Sequence, residues 1–132
     1  MKLFKRKEPI DKSQKQVSSA DIAWPDHVVV LDDRTFDEFI SSYPVVVVDF
    51  WASWCGPCKA MGPRMRRLSK MYQRKAAFGK LDVQQNKTIA NRYHVQGIPH
   101  FVFFQHGRKV TTITGARSIG KLKETIEGVL KN

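Results

Sequence analysis

Cys55 and Cys58 are the only cysteines in this 132-residue chain, and only Gly56 and Pro57 separate them. A disulfide that staples a fold normally joins distant stretches. In the loop-entropy view a ring this small stabilises by only about 2 kcal/mol before strain is subtracted. The spacing therefore points to chemistry. If a helix begins at the cysteines, Cys55 meets free backbone N–H groups and the positive end of the helix dipole. Both favour a thiolate and lower its pKa, and the thiolate is the nucleophile. Pro57 suits the first helical turn, where its missing N–H costs no hydrogen bond. Gly56 puts no side chain in the path of an incoming disulfide, and Cys58, one turn deeper, is expected to be shielded. The pattern implies a two-step exchange in which Cys55 attacks a substrate disulfide and Cys58 resolves the mixed disulfide.

A second chemical candidate stands just upstream. Asp49 interrupts a run of valines, with Val45 and Val47 on its own face of the strand. Two readings stay open: an acid at a strand end near water, or a desolvated carboxyl with a raised pKa that passes protons near neutrality.

The elements that must position these residues follow from periodicity. Residues 27–31 and 45–51 read as strands, the second buried on both faces as in the middle of a parallel sheet. Asp32-Asp33 offers a cap for a helix carrying Phe36, Phe39 and Ile40, which Tyr43-Pro44 ends. Met61, Met65, Leu68 and Tyr72 mark one helical stripe after the cysteines, and Pro63 inside it is expected to bend the helix. Residues 76–83 form another strand, and Asn86 caps a short helix towards Tyr93. Residues 101–104 and 110–114 flank Gln105-His106-Gly107-Arg108 as a hairpin. Ser118 caps a last helix carrying Leu122, Ile126, Val129 and Leu130. The order is β-α-β-α-β-α-β-β-α, an α/β sheet that is parallel at first and ends in an antiparallel hairpin.

Composition narrows the class. The apolar share is 42% and the charged share 27%, which is globular. The longest apolar runs, Val45-Val46-Val47-Val48 among them, are far short of the roughly 20 residues that span a bilayer. The basic start lacks the apolar centre of an export signal, and Glu8, Asp11, Asp21 and Asp26 argue against an organellar address. Two cysteines are too few for a disulfide framework, so a cytoplasmic location is the default. The net charge is +11, of which residues 1–27, with six Lys/Arg and four acids, supply only +2. Phe50 to Leu81 contains no Asp or Glu but carries Lys59, Arg64, Arg66, Arg67, Lys70, Arg74, Lys75 and Lys80. Such a field favours acidic partners or anionic surfaces. The Leu3-Phe4 pair among lysines reads as part of a solvated tail rather than a membrane contact.

Trp54-Cys55-Gly56-Pro57-Cys58-Lys59 resembles the active-site signature of the thioredoxin family. The likeness runs in family order and spacing through Asp49 to Ala52, Lys80-Leu81-Asp82, Gly97-Ile98-Pro99 and Gly115-Ala116. The resemblance implies a thioredoxin fold over residues 24–132, with a central five-stranded mixed sheet flanked by four helices. Residues 1–23 would be a flexible basic N-terminal extension. It further implies a protein-disulfide reductase whose only redox group is the Cys55–Cys58 disulfide, with no separate cofactor and no metal. Its partners would be a thioredoxin reductase linked to NADPH or ferredoxin and disulfide-containing proteins, with acidic ones favoured by the charge. It would act as a monomer, without membrane or nucleic acid.

The same resemblance assigns roles. Asp49 would sit behind the cysteines and help deprotonate Cys58, with Lys80 close enough to tune it; Lys80 on its own reads as one more solvated lysine. Pro99 would be cis and face Cys55, while Ile98 offers backbone hydrogen bonds to an extended substrate strand. Trp54, Ile98, Gly115 and Ala116 would form the groove around the disulfide, with Gly56 and Pro57 between the thiols.

Three features depart from the family pattern. Gln84 stands where an acid is common, His100 follows Pro99 where Thr is usual, and the helix after the cysteines lacks acids. If that helix stabilises the thiolate, the couple becomes more oxidising than the roughly −270 mV of ordinary thioredoxin. Rival readings are an oxidase or isomerase on the same fold, a zinc site from the cysteines with His94 and His100, and a binding module for an acidic partner. Oxidases and isomerases of this superfamily usually carry His between the cysteines. The 35 residues between Cys58 and His94 do not fit a finger. The binding module leaves the cysteines unexplained.

Overall fold

The computed structural model describes residues 22–132. Most of the extension assigned to residues 1–23, including Leu3-Phe4, lies outside the described residues. The elements are β1 (Val29–Leu31), α1 (Phe36–Ser42), β2 (Val45–Trp51), α2 (Gly56–Met71), β3 (Ala77–Asp82), α3 (Lys87–Arg92), β4 (His100–Gln105), β5 (Arg108–Thr114) and α4 (Ile119–Leu130). They form a five-stranded sheet in the order β1-β3-β2-β4-β5. β1 and β2 run parallel to β3, whereas β4 is antiparallel to both β2 and β5. The mixed sheet and its four helices are those expected.

β2 is the central strand, and its valines explain the layering. Alternate residues of an extended chain point to opposite faces. Val45 and Val47 join Phe101 and Phe103 in a core with Met61, Met65 and Leu68 of α2 and Leu122 and Ile126 of α4. Val46, Val48 and Phe50 join Val102 and Phe104 on the other face, against Phe36, Phe39 and Ile40 of α1 and Ile89 of α3. β2 is therefore buried on both sides, and its carboxyl end is held rigidly where the cysteines follow.

Local details differ from the sequence reading in instructive ways. β1 is shorter than residues 27–31, because His27 is exposed and Val28 only packs against the α2 side of the core. Asn86 does not cap α3 through its side chain. Its Oδ1 instead accepts the Asp33 N–H at 2.9 Å, and the Asp33 carboxylate in turn accepts the α3 N–H groups of Thr88 and Ile89 at 3.3 and 2.9 Å. The start of α1 has no side-chain cap, and Asp32 turns back on the N–H groups of Arg34 and Thr35. Free N–H groups at a helix start need an acceptor, but it need not be local. Ser118 does cap α4, accepting the Lys121 N–H at 3.1 Å. The hairpin turn is tighter than expected: His106 and Gly107, with φ of 51° and 79°, alone connect β4 to β5. α2 continues through Pro63 to Met71.

Candidate redox-active site

β2 delivers the chain to Ala52, and the turn that follows sets Cys55 at the start of α2. Cys55 is the N-cap, with extended backbone, and its Sγ accepts the Cys58 N–H at 3.2 Å. The Cys55 N–H donates to the Ala52 carbonyl, and the Cys55 carbonyl accepts from Lys59, both at 3.2 Å. Pro57 occupies the first turn, and that turn carries no acid. The Cys55 sulfur thus faces a backbone donor at the positive end of a 16-residue helix, which favours a thiolate once the pair is reduced. Cys55 and Cys58 are joined as a disulfide, with Cα atoms 5.2 Å apart.

The shielding contrast expected between the two is slight, since Cys55 is 5% and Cys58 3% exposed. Access comes through their neighbours. Gly56 and Pro57 are exposed, and a Cβ on Gly56 would meet nothing within 4 Å. Beneath, Ala52 and the two cysteines form a small cluster covered by Trp51, Val83 and Ile98.

Asp49 is two residues before the end of β2, on the sheet face covered by α2. It is 4% exposed and its Oδ1 has no hydrogen-bond partner. Burial pushes its pKa up to about 7, and the Lys80 charge opposes that only in part. Lys80 is the residue paired with Asp49 across β2 and β3. Its ammonium lies 5.2 Å from the centre of the Trp51 ring. Asp49 and Lys80 both line a cavity of about 180 Å³ that opens between the sheet and α2 beside His27, Gly62 and Met65. Asp49 is thus a desolvated carboxyl and not an acid near water.

The groove elements also converge. The Ile98-Pro99 peptide is cis, and the Ile98 carbonyl oxygen lies 3.9 Å from Cys55 Sγ. Pro99 is buried, and its carbonyl accepts the Gly115 N–H at 2.7 Å. This bond ties the Gly115-Ala116 turn to the cis-proline segment. Gly115 has φ +96°, a conformation that favours glycine. Ala116 is exposed, Ile98 half-buried, and Trp54 is 66% exposed, a large apolar surface beside the disulfide.

His100 does not bond to either cysteine. Its Nδ1 lies 2.8 Å from Thr114 Oγ1 and its ring stands edge-on to Phe50. Burial, with the Lys109 charge, lowers its pKa. Among the described residues, no group of three His, Cys, Asp or Glu side chains is placed to hold a metal.

Some residues of the site receive no site role from the sequence. Arg64 reaches from α2 to the Arg117 carbonyl at 2.8 Å, bracing the Gly115-Ala116 turn. Trp51 and Val83 cover the cysteine cluster, and the Val83 N–H bonds the Trp51 carbonyl at 2.9 Å. Trp51 and Val83 have a signal, as apolar residues at the ends of adjacent parallel strands. Arg64 has none, since its partner is 53 positions away.

A cysteine pair at a helix N-terminus, beyond the carboxyl end of a central strand and beside a cis-proline, defines a thiol–disulfide oxidoreductase. The chain belongs to the thioredoxin family, whose model, Thioredoxin, matches residues 27–128. A thioredoxin of Staphylococcus aureus (strain Mu50 / ATCC 700699) is 38% identical over 100 residues, covering 76% of this chain and 95% of that protein. Among solved structures, a point-mutant thioredoxin from Halobacterium salinarum NRC-1 superposes with a TM-score of 0.76 at 36% identity. That match covers 82% of this chain and 95% of the other. A chain from a study of the thiol resolving mechanism in yeast mitochondrial 1-Cys peroxiredoxin via glutathione/thioredoxin systems gives a TM-score of 0.71 at 31% identity, covering 76% and 94%. The redox-active group of this protein is its own disulfide, and its family interacts with thioredoxin reductase and disulfide substrates.

Proposed function

We propose that this protein reduces the disulfides of other proteins in the cytoplasm as a monomer, and that a thioredoxin reductase drawing on NADPH or ferredoxin recharges it. The reading rests on one observation above all: Cys55 Sγ caps α2 and accepts the Cys58 N–H at 3.2 Å. The Cys55 thiolate attacks one sulfur of the substrate disulfide, forming a mixed disulfide and releasing the other substrate sulfur as a thiolate. Cys58, deprotonated with the help of Asp49, then attacks Cys55 Sγ. The Cys55–Cys58 bond forms, the second substrate thiolate leaves, and two electrons have passed to the substrate. Lys80 tunes Asp49. Trp54, Ile98, Pro99, Gly115 and Ala116 hold the substrate strand, with Gly56 and Pro57 leaving its sulfur a clear path.

The test is equilibration of the pair with a glutathione buffer, together with trapping by the Cys58→Ser variant. A potential near about −270 mV, with substrate trapped on Cys55, supports the reductase. A potential above about −200 mV would assign oxidase or isomerase work instead. No substrate trapped on Cys55 of this variant would remove the proposed attacking role of Cys55 and, with it, the resolving role of Cys58.

A further inference from the structure

The basic residues of α2 are not scattered. At about 100° per residue, Lys59, Arg66 and Lys70 fall within roughly 40° of one another on the helix surface. Arg67 lies next to that row, and all four side chains are exposed. Among the described residues none of the four has an ion-pair partner, and the ion pairs there are His27–Asp26, Arg92–Asp37 and Lys121–Glu124. No acid lies on α2 or within several residues of either end. At about 1.5 Å rise per residue, the row runs from the residue after Cys58 to a point roughly 16 Å away. An unpaired cationic ridge therefore leads away from the reactive disulfide.

We propose that this ridge is a docking surface for disulfide proteins that carry an acidic segment within about 16 Å of the disulfide, seated along Lys59, Arg66 and Lys70 while Cys55 attacks. The inference rests on the disulfide-exchange reading and names the substrate class that this reading leaves open. Two observations select a protein over a nucleic acid or a membrane. The ridge begins at the disulfide itself, and the exposed Trp54 beside it supplies an apolar anchor; a partner that uses both must bring a disulfide. Exposed charges of one sign mainly raise the rate of encounter with a complementary partner, so the effect belongs in association and fades with salt.

The experiment uses the full chain and three synthetic peptides that share one intramolecular disulfide. It is followed by five Glu, five Gln or five Lys residues, a run whose extended length of about 16 Å matches the ridge. Dithiothreitol, a neutral dithiol, returns the Cys55–Cys58 pair to its reduced form after each turnover, and its direct reduction of each peptide is subtracted. The rate is followed at about pH 8, above the pKa of Asp49, at low and high salt. The expected result is a kcat/KM for the Glu peptide about tenfold above the Gln peptide at low salt, carried by KM and lost at high salt. In Arg66→Glu/Lys70→Glu the Glu peptide loses its advantage over the Gln peptide and the Lys peptide gains one. The ratios between peptides are the readout, because both residues also line the Asp49 cavity and can move the turnover of all three together. That gain also shows that the variant is folded. Equal turnover of Glu and Gln peptides overturns the proposal alone, as does a Glu advantage that survives the double substitution. Single-stranded DNA competing better than a disulfide-free Glu peptide of equal charge reassigns the ridge to nucleic acid and overturns it. Failure to reduce even the Gln peptide overturns the exchange reading, and this proposal with it.

Discussion

The Asp49 carboxyl meets only weak compensation for its burial: Oδ1 is unpartnered, and the Lys80 charge opposes the upward shift only in part. A carboxyl held at about 7 rather than the ordinary 3.8 binds a proton more tightly folded than unfolded. Below about pH 4 both states are protonated and nothing is lost. As pH rises towards 7, the unfolded state ionises first, so stability falls with pH and the loss is complete above the folded-state pKa of about 7. The difference corresponds to roughly 4 kcal/mol. Asp49→Asn removes this dependence, so urea unfolding midpoints at about pH 5 and pH 8 should converge, with the gain over the parent at the higher pH. The same substitution should slow release of a mixed disulfide near neutral pH by at least about tenfold and erase the rise in that rate through about pH 7. Trp54 is the opposite case, a large side chain with little burial to lose. Trp54→Ala should move the unfolding free energy by less than about 0.5 kcal/mol while raising KM for protein disulfides more than for a small neutral disulfide.

At the level of elements, the Asp33 loop and α3 satisfy each other across 53 to 56 positions of sequence. Asp33→Ala leaves the first α3 N–H groups without their acceptor and should cost about 1 kcal/mol in thermal or urea unfolding. Activity should persist, because α3 holds no proposed site residue. Gly79 in β3 has no room for a side chain between Leu31 of β1 and Phe39 of α1. A Cβ there would sit 2.7 Å from Leu31 Cδ1 and 3.2 Å from a Phe39 ring carbon. Gly79→Ala should therefore destabilise by about 1–3 kcal/mol through overpacking, and a calorimetric midpoint reads it directly.

Across the whole molecule the net charge of +11 raises the question of redox tuning. Arg64 is already engaged by the Arg117 carbonyl, and Arg66 and Arg67 are exposed to water, which screens them. Exchanging Arg66 and Arg67 for Gln should lower the potential of the pair by only roughly 10 mV at low salt. Equilibration with glutathione at two ionic strengths checks this. A fall of several tens of millivolts would mean that the helix charge governs the couple. The backbone donor at Cys55 is the stronger influence, because it is fixed in place and shielded from solvent.

Local patterns made much of this protein legible. The valine run, the α2 stripe and the Gly turn before β5 announced the order of elements, because burial repeats with the period of the backbone. The cysteine spacing announced exchange chemistry, because Gly56-Pro57 at a helix start is a local arrangement. The tertiary structure decided what depends on separated segments. It chose between the two readings of Asp49, since desolvation is set by α2 and β3 and not by neighbours in sequence. It moved the α3 cap to Asp33 and braced the Gly115-Ala116 turn with Arg64, because a hydrogen bond needs only proximity. It brought Ile98 to 3.9 Å from Cys55 across 43 positions, a distance that only the pairing of β2 with β4 can set.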